Sequence, residues 1–146
     1  MKKLDKNIMF LAATLGAITI GIGAFGAHGL KALVDETALR SFETGVRYQM
    51  YHVLALLFLG CWGLSGKEWP EGQVKAVRKT KLWVFRFFGI GILLFSGSLY
   101  VLSLGEVLPF KVSFLGPITP IGGLLFVLGW LRLGYGFFTL KSQHSG

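Results

Sequence analysis

FLAATLGAITIGIGAFGAHGL, residues 10 to 30, runs from Phe10 to Leu30 without an Asp, Glu, Lys or Arg. A bilayer's hydrocarbon core is ~30 Å thick, so a helix rising ~1.5 Å per residue crosses it in roughly 20 apolar residues. Tyr48 to Leu64, Phe87 to Leu104 and Val112 to Leu131 repeat that pattern, each free of formal charge. The mean hydropathy of +0.61 and the 53% hydrophobic content agree, because a soluble domain spreads its charge along the chain. Here charge is confined to connectors. The expected fold is all-α: an integral membrane four-helix bundle forming a single domain over residues 1–146, with spans at about 8–30, 46–66, 82–104 and 112–138.

Charge distribution sets an orientation. With four spans, one side of the membrane collects the amino terminus, the second connector and the tail, and these carry eleven Lys and Arg residues. The other side holds Lys31, Arg40, Arg47 and Lys111, four in all. The positive-inside rule then puts both termini in the cytoplasm. The net charge of +8 reads as a topology and lipid-headgroup signal, with no nucleic-acid partner implied. The first apolar stretch is too long for a signal-peptide core and is expected to be retained as a span. The one cysteine, Cys61, lies inside the second span and reads as a small packing residue.

Small residues dominate the first span, where they allow close backbone approach in lipid. Ala13, Ala17, Gly21, Ala24 and His28 recur at helical spacing, so this face is expected to meet another helix, with Ala17, Gly21 and Ala24 at the packing contact. The same stretch contains Gly21-x-Gly23-x-x-Gly26, the string of a dinucleotide-binding loop. That loop requires a preceding strand, which a membrane span excludes. Between the first two spans, Leu33, Ala38, Leu39 and Phe42 alternate with charged residues and predict a short surface helix. Trp62, Trp69 and Trp83 near span ends fit an interfacial aromatic belt. Pro117 and Pro120 with Gly122-Gly123 mark either the first turn of the fourth span or a re-entrant break.

The polar interruptions gather at one level. His28, Arg47, Tyr48, Gln49, His52, Tyr100 and Thr119 all belong to the half of the bundle opposite the basic side, which predicts a polar pocket or interface there. Two histidines from neighbouring helices are compatible with haem ligation, yet no C-x-x-C-H string or same-helix histidine pair accompanies them. A metal site lacks a third ligand, and no nucleophile, base and orienter assemble. The expectation is therefore no cofactor, no metal and no enzymatic activity. The histidines are expected to bond to one another across a helix contact, and Arg47 to pair with Glu43. The chain reads as an accessory or interaction subunit embedded in the lipid bilayer, a homo-oligomer or part of a larger membrane complex. The alternative is a protein that binds or transports a quinone, lipid or other amphipathic small molecule, its carbonyls held by His52, Tyr48 or Arg47.

GAFGAHGL (Gly23 to Leu30), FETGVRYQMYHVLALL (Phe42 to Leu57), LFSGSLY (Leu94 to Tyr100) and LGPITPIGG followed by Gly129-Trp130 occur in that order. Together they resemble the small bacterial inner-membrane proteins of the YgdD/YwdK type, over nearly the whole chain. The resemblance implies a four-span helical protein of the bacterial plasma (inner) membrane, of unestablished function, and transfers no catalytic residue.

Overall fold

The computed structural model describes residues 3–62 and 70–140, so Trp69 of the expected belt and Lys2, Lys67 and Lys141 of the basic side lie outside the described residues. Among those described, the chain is helical with no strand. Helix α1 runs Lys3–His28, a 3-10 turn Leu30–Ala32 follows, and α2 spans Glu36–Cys61. Helix α3, Glu71–Gly91, passes through a π-helical segment, Ile92–Ser96, directly into α4, Gly97–Ser103. A second 3-10 turn, Ser113–Leu115, leads to α5, Ile118–Phe138.

Three of these rods, Lys3–Ala32, Glu71–Ser103 and Ser113–Phe138, are long and apolar enough to cross a membrane. Helix α2 has 26 residues and the length to match, but Arg47, Gln49 and His52 lower its apolarity. Helices α1 and α3 begin before residues 8 and 82, at Lys3 and Glu71, and Asp5 and Lys81 within these added turns are buried.

The expected surface helix between the first two spans is not a separate element. Asp35 caps α2 by accepting from the Ala38 amide at 2.7 Å, and the helix continues unbroken through Phe42 into the apolar run. The amphipathic pattern is that of α2's own first turns, with Phe42 buried against α1 and Arg40 paired outward to Glu36 at 2.6 Å. The prolines resolve as a helix start: Pro117 caps α5 and Pro120 falls in its first turn, where amides have no intrahelical partner to lose.

Helix α1 lies antiparallel on α2, with Gly16 at Val53 and Gly26 at Phe42, and α3 antiparallel on α5, with Phe88 at Gly129 and Thr80 at Gly136. Between the two pairs, α2 packs on the π segment and α4. Ile8, Ala12, Leu56, Leu59, Val84, Phe88, Phe126 and Leu133 form one apolar cluster joining all four rods. The α3–α5 seam depends on glycine. A Cβ at Gly129 would strike the Phe88 ring, one at Gly136 the Thr80 side chain, and one at Gly122 the backbone of Phe95. Lipid offers no hydrophobic drive between helices, so such close approach is what makes their dispersion contacts large enough to hold.

The face of α1 that meets α2 differs from the expected one. Ile8, Ala12, Thr19 and Gly26 are buried, with Gly16 against Val53 and Gly23 against Val46. Ala17, Gly21 and Ala24, together with Ala13 and His28, are exposed, and nothing lies within 4 Å of a Cβ at Gly21. Two parallel rows of small residues occupy this helix, and the positions of Phe42, Val46 and Val53 on α2 select between them.

Gly122→Ala is expected to lower thermal stability in detergent by about 3 kcal/mol, the upper end for overpacking, since the obstructing atoms are backbone. Gly21→Ala should leave it unchanged or higher. Equal effects at the two positions would refute the assigned seam.

Candidate functional site

Gln49 is 4% exposed in the middle of α2, and a primary amide in apolar surroundings must find partners. Its Nε2 donates to Thr19 Oγ1 on α1 at 2.8 Å, and its Oε1 accepts from the Tyr100 hydroxyl on α4 at 2.9 Å. Thr19 passes its own proton to Leu15 O at 2.6 Å. The result is a unidirectional donor chain, Tyr100 to Gln49 to Thr19 to main chain, that ties three helices together. One turn away the π segment widens the helix and turns Ser96 toward α2, where its hydroxyl donates to Gly45 O at 2.8 Å. Gly45 cannot carry a side chain there, because the Tyr100 ring lies against it.

His52 turns the other way, toward α5. Trp130 Nε1 lies 3.2 Å from His52 Nε2, and an indole can only donate. Nε2 is therefore an acceptor, and Nδ1 carries the proton donated to Tyr48 O at 2.7 Å. The neutral ring stacks on Phe126 with centroids 3.5 Å apart and planes 10° from parallel, while Phe88 meets it edge-on. Both ring nitrogens are spent, so no lone pair is left for haem iron or a metal. Among the described residues no group of three or more His, Cys, Asp or Glu side chains could hold a metal ion. Thr119 Oγ1 lies 2.7 Å from Ser98 Oγ, whose proton goes to Phe95 O, so Thr119 is the donor; this pair joins α4 to the start of α5.

The remaining sequence candidates do not join them. His28 is exposed at the end of α1, about 18 Å along the axis from Gly16, the residue beside His52's neighbour Val53. The expected histidine contact is thus replaced by His52–Trp130. Arg47 is exposed and forms no ion pair with Glu43; on this helix the pair that forms is Arg40–Glu36. Tyr48 is 41% exposed, its ring 5.0 Å from Phe95 and 5.9 Å from Tyr51 by centroid. Instead of a common pocket, these residues form three separate helix-to-helix joints and an exposed rim. A shallow polar depression at this end is lined by Glu36, Thr37, Arg40, Ser41 and Thr44, all from α2.

The opposite end holds what the sequence reading missed. Lys81 Nζ lies 2.6 Å from Asp5 Oδ1, with both side chains at most 9% exposed. Asp5 is an acid flanked by Lys2, Lys3 and Lys6, and that isolation among bases is the signal that marks it. Breaking a buried pair strands a charge, whereas removing both partners does not. Lys81→Met is therefore expected to cost about 3–5 kcal/mol in thermal or denaturant stability. Adding Asp5→Leu should recover most of that loss; no recovery would mean that the pair is not coupled.

For the histidines, His52→Ala should cost about 2–4 kcal/mol through the lost ring packing and the orphaned Trp130 N–H. His28→Ala is expected to have almost no effect, and the double variant should be additive within about 0.5 kcal/mol. Strong coupling between them would overturn the separation.

Residues 22–123 match the family described as a protein of unknown function, DUF423. A UPF0382 membrane protein of Haemophilus influenzae is 39% identical over 140 residues, 95% of this chain and 99% of that one. YwdK, a UPF0382 membrane protein of Bacillus subtilis, is 38% identical over 88% of this chain and 93% of its own. YgdD, a UPF0382 inner membrane protein of Escherichia coli, is 32% identical over 95% of each. No solved structure matches. With these matches running nearly end to end, the chain belongs to the DUF423/UPF0382 family of membrane proteins, whose function is unknown.

Proposed function

We propose that this protein is a four-span inner-membrane subunit with both termini in the cytoplasm, and that it acts without catalysis, by packing against a second copy or a larger complex. One observation carries the reading. Gln49, His52, Tyr100 and Thr119 are spent on joining the chain's own helices, while the Ala17, Gly21, Ala24 face of α1 is left uncovered. Small residues at spacings of three and four let a second helix approach to backbone contact, the arrangement on which lipid-embedded helices associate. The orientation rests on the eleven-to-four distribution of Lys and Arg between the two sides.

A second reading, an amphipathic small molecule, draws on the half-exposed Tyr48 ring and its neighbours Phe95 and Tyr51. Purification in mild detergent with native mass spectrometry separates the two. The packing reading expects a homo-oligomer or a stoichiometric partner protein, and Gly21→Leu should dissociate it while leaving the separated chain folded. A monomer carrying a small molecule would favour the second reading. A cysteine replacing Lys75 should react with an impermeant maleimide only from the cytoplasmic side, and labelling from outside would reverse the topology.

A further inference from the structure

Arg132 lies within α5, six residues before its last residue, Phe138, and is only partly exposed. Its Nη1 is shielded from solvent and meets no hydrogen-bond acceptor among the described residues. A guanidinium cannot discharge itself by losing a proton, and a buried N–H without an acceptor is costly. An ionisable group in this position calls for a partner. Among the described residues the acids at this end are already paired: Asp5 with Lys81 and Glu71 with Lys75, the second pair at 2.7 Å.

The surroundings specify the partner's chemistry. Gly136 faces Thr80 and Gly129 faces Phe88, so Arg132 sits at the level of Val84 on α3. Trp130 and Phe137 turn toward α2, touching His52 and Phe58, and Arg132 lies well over a third of a turn from either, on the outer flank of the α3–α5 seam. Trp83 belongs to the same flank, since it contacts Phe87, whose Cβ abuts Gly129. Arg86 stands over the Trp83 ring at 5.6 Å and Arg132 over the Tyr135 ring at 5.6 Å. Each of these guanidinium groups thus lies over an exposed aromatic ring of its own helix, with exposed Arg78 and Lys79 toward the same end of α3.

We propose that Arg132, assisted by Arg86, binds the phosphate of an anionic phospholipid in the groove between α3 and α5. The planar fork of a guanidinium matches two phosphate oxygens, which accept from Nη2 and Nε, the edge of the Arg132 guanidinium that is not sealed from solvent. The acyl chains lie along the apolar surface of the seam, and the Trp83 and Tyr135 rings mark headgroup depth. The surplus of unpaired bases at this end attracts anionic lipid and concentrates it there. The site does not depend on self-association, since a monomer would carry it equally.

The test uses the full chain in nanodiscs of phosphatidylcholine, alone or mixed with phosphatidylglycerol, released into native mass spectrometry. The wild type should retain phosphatidylglycerol and melt at a higher temperature in its presence. Arg132→Gln should retain about tenfold less, and Arg78→Gln, an exposed base outside the groove, should retain as much as the wild type. Equal retention by Arg132→Gln, or equal loss in both variants, overturns the site in favour of none or of diffuse attraction. Displacement of the lipid by excess inorganic phosphate would assign the guanidinium to free phosphate and overturn the lipid proposal. If Arg132→Gln does not fold, Arg132→Lys keeps the charge but loses the fork. About fivefold weaker retention is expected for it, and wild-type retention overturns the proposal.

Discussion

A primary amide placed in the interior of a membrane bundle must be hydrogen-bonded on both its nitrogen and its oxygen, and much of this fold follows from how Gln49 meets that demand. Its nitrogen reaches Thr19 and its oxygen is reached by Tyr100, so α1 and α4 are locked to α2 at a single height. That lock, together with Phe42, Val46 and Val53 seated against Gly26, Gly23 and Gly16, sets which side of α1 faces inward. One turn away the third rod changes to π geometry, where Ser96 binds the Gly45 carbonyl. The polar groups cost little once paired, and each pairing excludes rotations that the apolar surfaces alone would permit.

The other half of the bundle is held by a different device. Helices α3 and α5 share no side-chain polar bond at their central seam; they approach until the Phe88, Phe95 and Phe126 positions rest on glycine. His52 joins the halves, donating to its own helix and accepting from Trp130 while stacked on Phe126. At the basic end, Asp5–Lys81 closes α1 against α3. Polar contacts thus occur both between the halves and within them, as Gln49–Thr19 and Ser98–Thr119 show, and close glycine contact dominates along the central α3–α5 seam.

Much of this was legible. Gln49, His52, Tyr100 and Thr119 stood out as polar side chains inside apolar runs, and each is a joint in the structure. Their partners were not legible. Nothing in local spacing singles out Thr19 or Trp130, and Lys81 is one of many bases in its connector, 76 residues from its acid. Pairing depends on the rotation and axial register of one helix against another, and neither is written in local spacing. His28 and Arg47 were grouped with the joints by sequence level alone; rotation about their helices puts them outside.

The sequence by itself determined the class: apolar runs of bilayer length, closed by prolines, acids and basic connectors, because a helix satisfies its own backbone and needs no distant residue to exist in lipid. It also determined which polar residues would need partners. Only the tertiary structure decided which of two rows of small residues on α1 would be buried, which ring nitrogen of His52 would carry the proton, and that Asp5 would be neutralised by Lys81 while Arg132 would meet no acid among the described residues. Those outcomes follow from how rods of similar apolarity rotate against one another, and the few polar side chains on each rod choose the rotation.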